Sequence, residues 1–153
     1  MTADGLTSDL DAVMRAARVI SAIVAESVAQ TGDAVTMPQL RTLVLVATRG
    51  DVNATAVADS LGIHPSNASR LCERLVQSGL LDRQDDPRDR RNVALRLTEQ
   101  GSELVRSVME HRRAAFRVIV EAMSDAGRSH LRAGLEEFAV SAAEPPEGWE
   151  LML

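Results

Sequence analysis

The sequence predicts a mostly helical α+β protein that contains a single β-hairpin. Apolar residues recur at alternating steps of three and four through most of the 153 residues, which is the period of amphipathic helices. The period changes to two only between Leu80 and Thr98, which indicates two short strands. Hydrophobic residues at 45% and charged residues at 25% are typical of a folded globular domain, and the length suits one such domain.

Residue counts and missing motifs argue against several classes of protein. No apolar run approaches the about 18 residues of a membrane span, and the first ten residues lack the basic residues of a signal peptide, so a cytoplasmic location is expected. The single cysteine, Cys72, excludes an intramolecular disulfide and a cysteine-rich zinc site. No Gly-rich phosphate loop, His-Glu-x-x-His or Gly-x-Ser-x-Gly sequence occurs, so neither an enzyme nor a cofactor site is expected.

The first predicted helix runs from Ser8 to Thr31. Ser8 and Asp11 form a predicted capping box at its start, and Gly32 stops it. Its apolar residues form one narrow stripe of Leu10, Val13, Ala17, Ile20, Val24 and Val28. A helix this long with so narrow a stripe needs a partner helix.

Three shorter helices are predicted before residue 79. Thr36 starts the first with a Thr-x-x-Gln box, and Asn53 caps the second, which Gly62 ends. Pro65 opens the third, because proline favours the first position of a helix. Two helices joined by so short a Gly-containing turn form a helix-turn-helix.

The helix that begins at Pro65 has two distinct faces. Its predicted core face contains Ala68, Leu71, Cys72, Leu75 and Val76. Its outer face contains the candidate DNA-contacting residues Ser66, Asn67, Ser69, Arg70 and Arg74. Small polar groups near the helix N-terminus, followed by two arginines a turn apart, are typical of a helix that reads a DNA groove. The alternative is an ordinary exposed face on which Arg70 or Arg74 pairs with Glu73.

A hairpin with a long charged tip follows. Its strands are predicted over Leu80–Gln84 and Val93–Thr98. The tip between the strands carries Arg88, Asp89, Arg90 and Arg91. Proline is its only apolar residue, so the tip is either solvated or bound to a partner.

Two further helices are predicted after the hairpin, one over Glu99–Met123 and a last one capped by Ser124. The predicted organisation is a helical dimerisation region at 8–31 and 99–143, a DNA-binding lobe at 36–98 and a tail at 144–153, which is either frayed or docked. The formal net charge is −5, but nine arginines against seven acids give the lobe +2 and leave −7 on the rest of the chain. The sequence contains no lysine, so arginine supplies all of its Lys/Arg charge. The planar guanidinium group of arginine can make paired hydrogen bonds to phosphates and to guanine edges.

Five short motifs follow one another between Thr36 and Gly101: Leu61-Gly62-Ile63, the run from Ser69 to Val76, Gly79-Leu80-Leu81, the run from Asp86 to Val93, and Leu97-Thr98-Glu99-Gln100-Gly101. In this ordered set the sequence resembles the MarR family of winged-helix transcription regulators. The resemblance implies a winged helix-turn-helix with long dimerisation helices, and a homodimer that binds a pseudo-palindromic operator in double-stranded DNA, most often as a repressor. It also implies a small-molecule effector between those helices and the lobe, and an Asp-x-Arg motif in which Asp89 holds Arg91 in the minor groove.

The sequence allows alternative roles for several histidines and for the cysteine. His64 stands where relatives often have Ser or Thr, so it either caps the helix or makes a pH-sensitive contact. Cys72 is either an inert core thiol, which its stripe position favours, or an oxidant sensor. His111 and His130 lack the partners of a metal site. The alternative function is a winged-helix module that binds only protein, against which the clustered arginines argue.

Overall fold

The computed structural model describes residues 3–32, 34–50, 52–85 and 93–142, and these residues form six helices and two strands. The elements are α1 (Ala3–Ala29), α2 (Met37–Arg49), α3 (Ala54–Leu61), α4 (Pro65–Gln77), β1 (Leu81–Asp85), β2 (Val93–Leu97), α5 (Glu99–Glu121) and α6 (Asp125–Ser141). The predicted fold class is confirmed, because α2, α3, α4 and an antiparallel hairpin form a winged helix-turn-helix between long helices.

Short-range capping sets the boundaries of the helices in the lobe. The side-chain oxygen of Gln39 accepts a hydrogen bond from the backbone N–H of Thr36 at 2.7 Å, at the start of α2. The side-chain oxygen of Asn53 accepts one from the N–H of Ala56 at 2.8 Å, at the start of α3. Gly62 ends α3 in the left-handed region with φ +65°, which glycine adopts without steric cost, so the chain turns at once into α4.

The predicted start of α1 is wrong. The helix begins at Ala3 rather than at Ser8, which lies in its second turn. A capping box needs a Glu or Gln side chain long enough to reach back to the cap, and Asp11 is one carbon shorter. Asp4 lies in the first turn instead, where a carboxylate interacts favourably with the helix dipole.

The strands of the hairpin are shifted slightly from their predicted bounds. β1 begins at Leu81, where it pairs with Leu97, and the last pair before the tip is Asp85 with Val93. Thr98, predicted as the end of β2, lies outside the strand and caps α5, accepting a hydrogen bond from the N–H of Gly101 at 3.0 Å.

One buried cluster holds the lobe together and extends to α5. Its most deeply buried large side chains are Leu40, Leu43, Leu45, Leu75, Leu81 and Val57. Val108 of α5 joins the cluster, and α5 also packs along α1. By contrast, α6 has no buried residue. We call residues 36–98 the lobe, and α1, α5 and α6 the arms.

No helix in the described part of the chain is both long and apolar enough to cross a membrane. The predicted tail at 144–153 lies outside the described residues.

Candidate nucleic-acid interface

The outer face of α4 is the candidate DNA-reading surface. The structure brings together on this exposed face all five residues predicted there, Ser66, Asn67, Ser69, Arg70 and Arg74. On the opposite face Ala68, Cys72 and Leu75 are buried in the core. The core therefore fixes the orientation of α4 while its outer side chains stay free to meet a partner.

Neither arginine on this face has a counter-charge among the described residues. Glu73, which the sequence suggested as their partner, instead lies 3.7 Å from the guanidinium of Arg83 on β1. The ion pair joins α4 to β1, the first strand of the hairpin, although both side chains are about half exposed. Arg70 and Arg74 thus have all their donors available for phosphates or base edges.

His64 caps α4, which is one of the two roles that the sequence allows for it. Its Nδ1 accepts a hydrogen bond from the backbone N–H of Ser66 at 3.3 Å and lies 2.8 Å from the hydroxyl oxygen of Ser66. Pro65 follows at the first helical position, where its missing N–H is no loss.

Cys72 lies on the core side of α4 and is 2% exposed. Burial raises the pKa of its thiol to about 11, against a smaller lowering by Arg83. A buried thiol with so little thiolate is inert, which agrees with the structural interpretation of its place in the stripe.

The wing is anchored at its base by a contact that the sequence did not reveal. The N–H of Leu95 on β2 donates to the carbonyl of Val52 at 2.7 Å, so the chain before α3 pairs with the hairpin. The predicted tip residues Arg88, Asp89, Arg90 and Arg91 lie outside the described residues, so their roles stay predictions.

A groove of about 510 Å³ lies between the end of α1 and the first half of α5. It is lined by Ser27, Gln30, Thr31, Gln100, Glu103, Leu104, Ser107, Val108 and His111. The groove is assembled from segments about 70 residues apart in the sequence, and no local pattern marks it.

An arginine is buried beside the groove, in the seam between the two helices. Arg112 of α5 is 8% exposed and donates from Nε and Nη2 to the hydroxyl oxygen of Ser27 at 3.2 and 3.1 Å. Ser27 is its only hydrogen-bond partner in the described part of the chain, and burial lowers the pKa of the guanidinium. The sequence did carry a signal here, because Arg112 falls in the apolar stripe of α5 between Val108 and Ala115.

No group of three or more His, Cys, Asp or Glu side chains in the described ranges could hold a metal ion.

Comparison with known proteins finds a matching family model and several similar proteins. The family model described as MarR family matches residues 35–93. The structure of RV1404 from Mycobacterium tuberculosis shares 37% sequence identity over 96% of this chain and 99% of that chain, with a TM-score of 0.79. MdtR of Bacillus subtilis (strain 168), which is named an HTH-type transcriptional repressor, is 30% identical over 114 residues, or 74% of this chain and 72% of that protein.

The structure of a third similar protein contains a bound ligand. CouR from Rhodococcus jostii RHA1, bound to p-coumaroyl-CoA, is 28% identical over 88% of this chain and 94% of that chain, with a TM-score of 0.60. Among the curated relatives, the matched segment spans from 36% to 81% of the relative's own length.

Proposed function

This chain belongs to the MarR family of winged helix-turn-helix transcription regulators, and from that premise we propose that it is a homodimeric, sequence-specific repressor. It binds a pseudo-palindromic operator in double-stranded DNA, and a small ligand releases it. The observation that carries the proposal is the outer face of α4, where two arginines without counter-charges among the described residues stand beside small polar groups on a rigidly packed helix.

In this proposal α4 lies in the major groove. Ser66, Asn67 and Ser69, near the N-terminus of α4, contact phosphates or base edges, while Arg70 and Arg74 reach guanine edges or phosphates further along. The cap that His64 supplies keeps the first turn of α4 ordered, and that turn is the one that must enter the groove.

The proposed homodimer rests on the arms. Leu10 and Met14 of α1 are 57% and 58% exposed, and Leu135 and Phe138 of α6 are 55% and 58% exposed. Exposed apolar side chains at helical spacing on long helices are typical of an interface rather than of a solvated surface. A two-fold dimer then presents two copies of α4 to half-sites roughly 34 to 36 Å apart.

The wing supplies the second contact with DNA. By the family resemblance, Arg91 enters the minor groove, Asp89 holds it there, and Arg88 and Arg90 meet phosphates. A narrow minor groove concentrates negative potential, so an inserted arginine favours A·T-rich flanks. This part of the proposal rests on sequence and family alone, because these residues lie outside the described structure.

Ligand release is proposed from the groove between α1 and α5. CouR, whose structure was solved with p-coumaroyl-CoA, shows that a similar fold holds a small molecule. A regulator of chromosomal genes works beside the chromosome, so the proposal includes a cytoplasmic location. It includes no catalytic activity.

The recognition helix is tested by two substitutions measured against the same operator. Arg70→Ala and Arg74→Ala each weaken binding, and an arginine that forks onto a guanine loses about 1 to 3 kcal/mol and relaxes selectivity at that base pair. A phosphate contact instead weakens all sequences alike and lowers the salt slope by about one. If neither variant changes DNA affinity, α4 is not the reading helix, and a module that binds only protein becomes the better explanation.

The wing is tested by the sign of a charge effect. Arg91→Ala reduces binding most at A·T-rich flanks and less at G·C-rich flanks. Asp89→Ala also weakens binding, although it removes a negative charge near DNA, because it frees the arginine that it positions. Fluorescence-anisotropy titrations on both flanks provide the measurement. Tighter binding by Asp89→Ala, together with a flank-independent loss in Arg91→Ala, would contradict the minor-groove role.

A further inference from the structure

The end of the recognition helix is bound to the start of α5 by one residue. The hydroxyl of Thr98 donates to the carbonyl of Gly79 at 2.6 Å and accepts from the N–H of Gly101 at 3.0 Å. The N–H of Thr98 donates to the carbonyl of Leu80 at 3.2 Å. We call this contact between residues 79–80 and 98–101 the clasp.

The clasp holds the chain that follows α4 in close contact with the first turn of α5. A Cβ built on Gly101 would lie 2.1 Å from the carbonyl oxygen of Leu80, so only glycine allows the first turn of α5 to approach this closely. Leu80 is in turn bonded to α4, because its N–H donates to the carbonyl of Leu75 at 3.0 Å. Leu80 therefore contacts the first turn of α5 and is hydrogen-bonded to α4 at the same time.

The same turns of α5 form one wall of the groove. Gln100, Glu103 and Leu104 line it from α5, opposite the end of α1. The side-chain oxygen of Gln100 also approaches the clasp, since it lies 3.5 Å from the position that a Cβ of Gly79 would occupy. Gln100 thus lines the groove and also lies beside the clasp.

We propose that the clasp transmits occupancy of the groove to the recognition helix, with Thr98 as the positioning residue. A molecule that fills the groove displaces the first turns of α5, and the clasp passes this displacement to α4. The two copies of α4 in a dimer must match two half-sites at a fixed separation, so a small rotation of each weakens operator binding more than non-specific binding. The inference rests on the proposed function and assigns the route of its regulation.

A thiol placed in the groove provides a defined occupant. The Ser107→Cys variant is modified with N-ethylmaleimide, while the buried Cys72 stays unmodified. Ser102→Cys is the matched control, since Ser102 is an exposed serine of α5 outside the groove lining. Modification of Ser107→Cys is expected to lower operator affinity about tenfold, within the usual range of coupling between sites, with a much smaller change on non-specific DNA. Modification of Ser102→Cys leaves both affinities unchanged.

The role of Thr98 is tested by repeating the modification in two backgrounds. Thr98→Val keeps the shape and removes the hydroxyl, so the effect of the modified groove on operator affinity should fall to roughly twofold. Thr98→Ser keeps the hydroxyl and should retain the full effect. A residue that only supports the fold would lower the melting temperature in Thr98→Val and leave the effect of modification intact. Gln100→Ala, which removes the side chain between the groove and Gly79, should reduce the effect even if Thr98→Val does not fold.

Two results would contradict the role of the clasp and leave the proposed function intact. The first is unchanged operator affinity after modification of Ser107→Cys. The second is an equal loss of operator affinity on modification with and without the Thr98 hydroxyl. Failure of the unmodified protein to prefer any operator over non-specific DNA is seen before any modification, and would overturn the proposed function and the inference together.

Discussion

The lobe and the arms are built from the same kind of amphipathic helix, yet they differ in how their apolar residues are used. In the lobe, Leu43 and Leu75 have no measurable exposure. In the arms, Val118 is 69% exposed and Phe138 is 58% exposed. The lobe buries its apolar stripes within one chain, whereas the arms leave many apolar side chains of their stripes exposed. The same periodicity therefore specifies a core in one region and an exposed apolar face, the proposed dimer interface, in the other.

The first prediction compares one substitution in the two regions. Leu43→Ala leaves a cavity in the lobe and is expected to lower the free energy of unfolding by about 2 to 5 kcal/mol at any protein concentration. Leu135→Ala on α6, where the side chain is 55% exposed, should destabilise only through the dimer, so its effect shrinks on dilution. Chemical denaturation at two concentrations measures both. Equal, concentration-independent losses would remove the distinction between the lobe and the arms.

The second prediction concerns the uncovered face of α6. Leu135→Asp places a carboxylate in the proposed interface and should weaken the dimer by about 2 to 3 kcal/mol, which is roughly a 100-fold increase in its dissociation constant. Ser129→Asp is the control, because it adds the same charge away from the apolar stripe of that helix. Sedimentation equilibrium distinguishes the variants. A wild-type monomer at micromolar concentration would contradict the interpretation of the arms.

Local signals in the sequence predicted the lobe well. Thr36, Asn53 and Pro65 mark helix starts through contacts only a few residues long, and the structure begins α2, α3 and α4 beside them. The faces of α4 followed from the helical period alone. The error at Ser8 shows the limit of such signals, because a capping pattern is also compatible with a helix interior.

Contacts between segments that are far apart in the chain could not be predicted from the sequence. Thr98 meets Gly79 only because β1 and β2 return the chain over 19 residues, and Ser27 meets Arg112 across 85. Glu73 pairs with Arg83 of the wing rather than with its helical neighbours for the same reason. The candidate reading face could thus be predicted, while the groove, the clasp and the buried arginine depend on the assembled fold.

The third prediction concerns the polar seam inside the arms. Ser27→Ala leaves two guanidinium donors of Arg112 without their acceptor and should cost about 1 to 3 kcal/mol of unfolding free energy. Arg112→Met removes the buried charge at similar volume and should stay within about 1 kcal/mol of the wild type, or stabilise it. In the Arg112→Met background, Ser27→Ala should cost much less. Additive losses in denaturant titrations would show that Ser27 acts by packing alone.

The fourth prediction expects the smallest effect, and it compares the two regions by thiol labelling. A pKa of about 11 leaves Cys72 with roughly 100-fold less thiolate at pH 8 than a thiol of pKa 9, and burial blocks access as well. Because the unfolded chain ionises this thiol first, its contribution to stability is fully present below pH 9 and is lost as the pH rises through 11.

Maleimide should therefore leave Cys72 unmodified in the native protein at pH 8 and modify it fully in denaturant. A thiol in the arms should behave differently, because only the partner chain of the proposed dimer would cover it. In a Leu10→Cys variant, the new thiol should be protected at high protein concentration and exposed on dilution, while Cys72 stays protected at both. Rapid native labelling of Cys72 would mean that the lobe opens locally around α4. Such opening would remove the rigid support on which the reading face depends, and the lobe would then need its partner as much as the arms do.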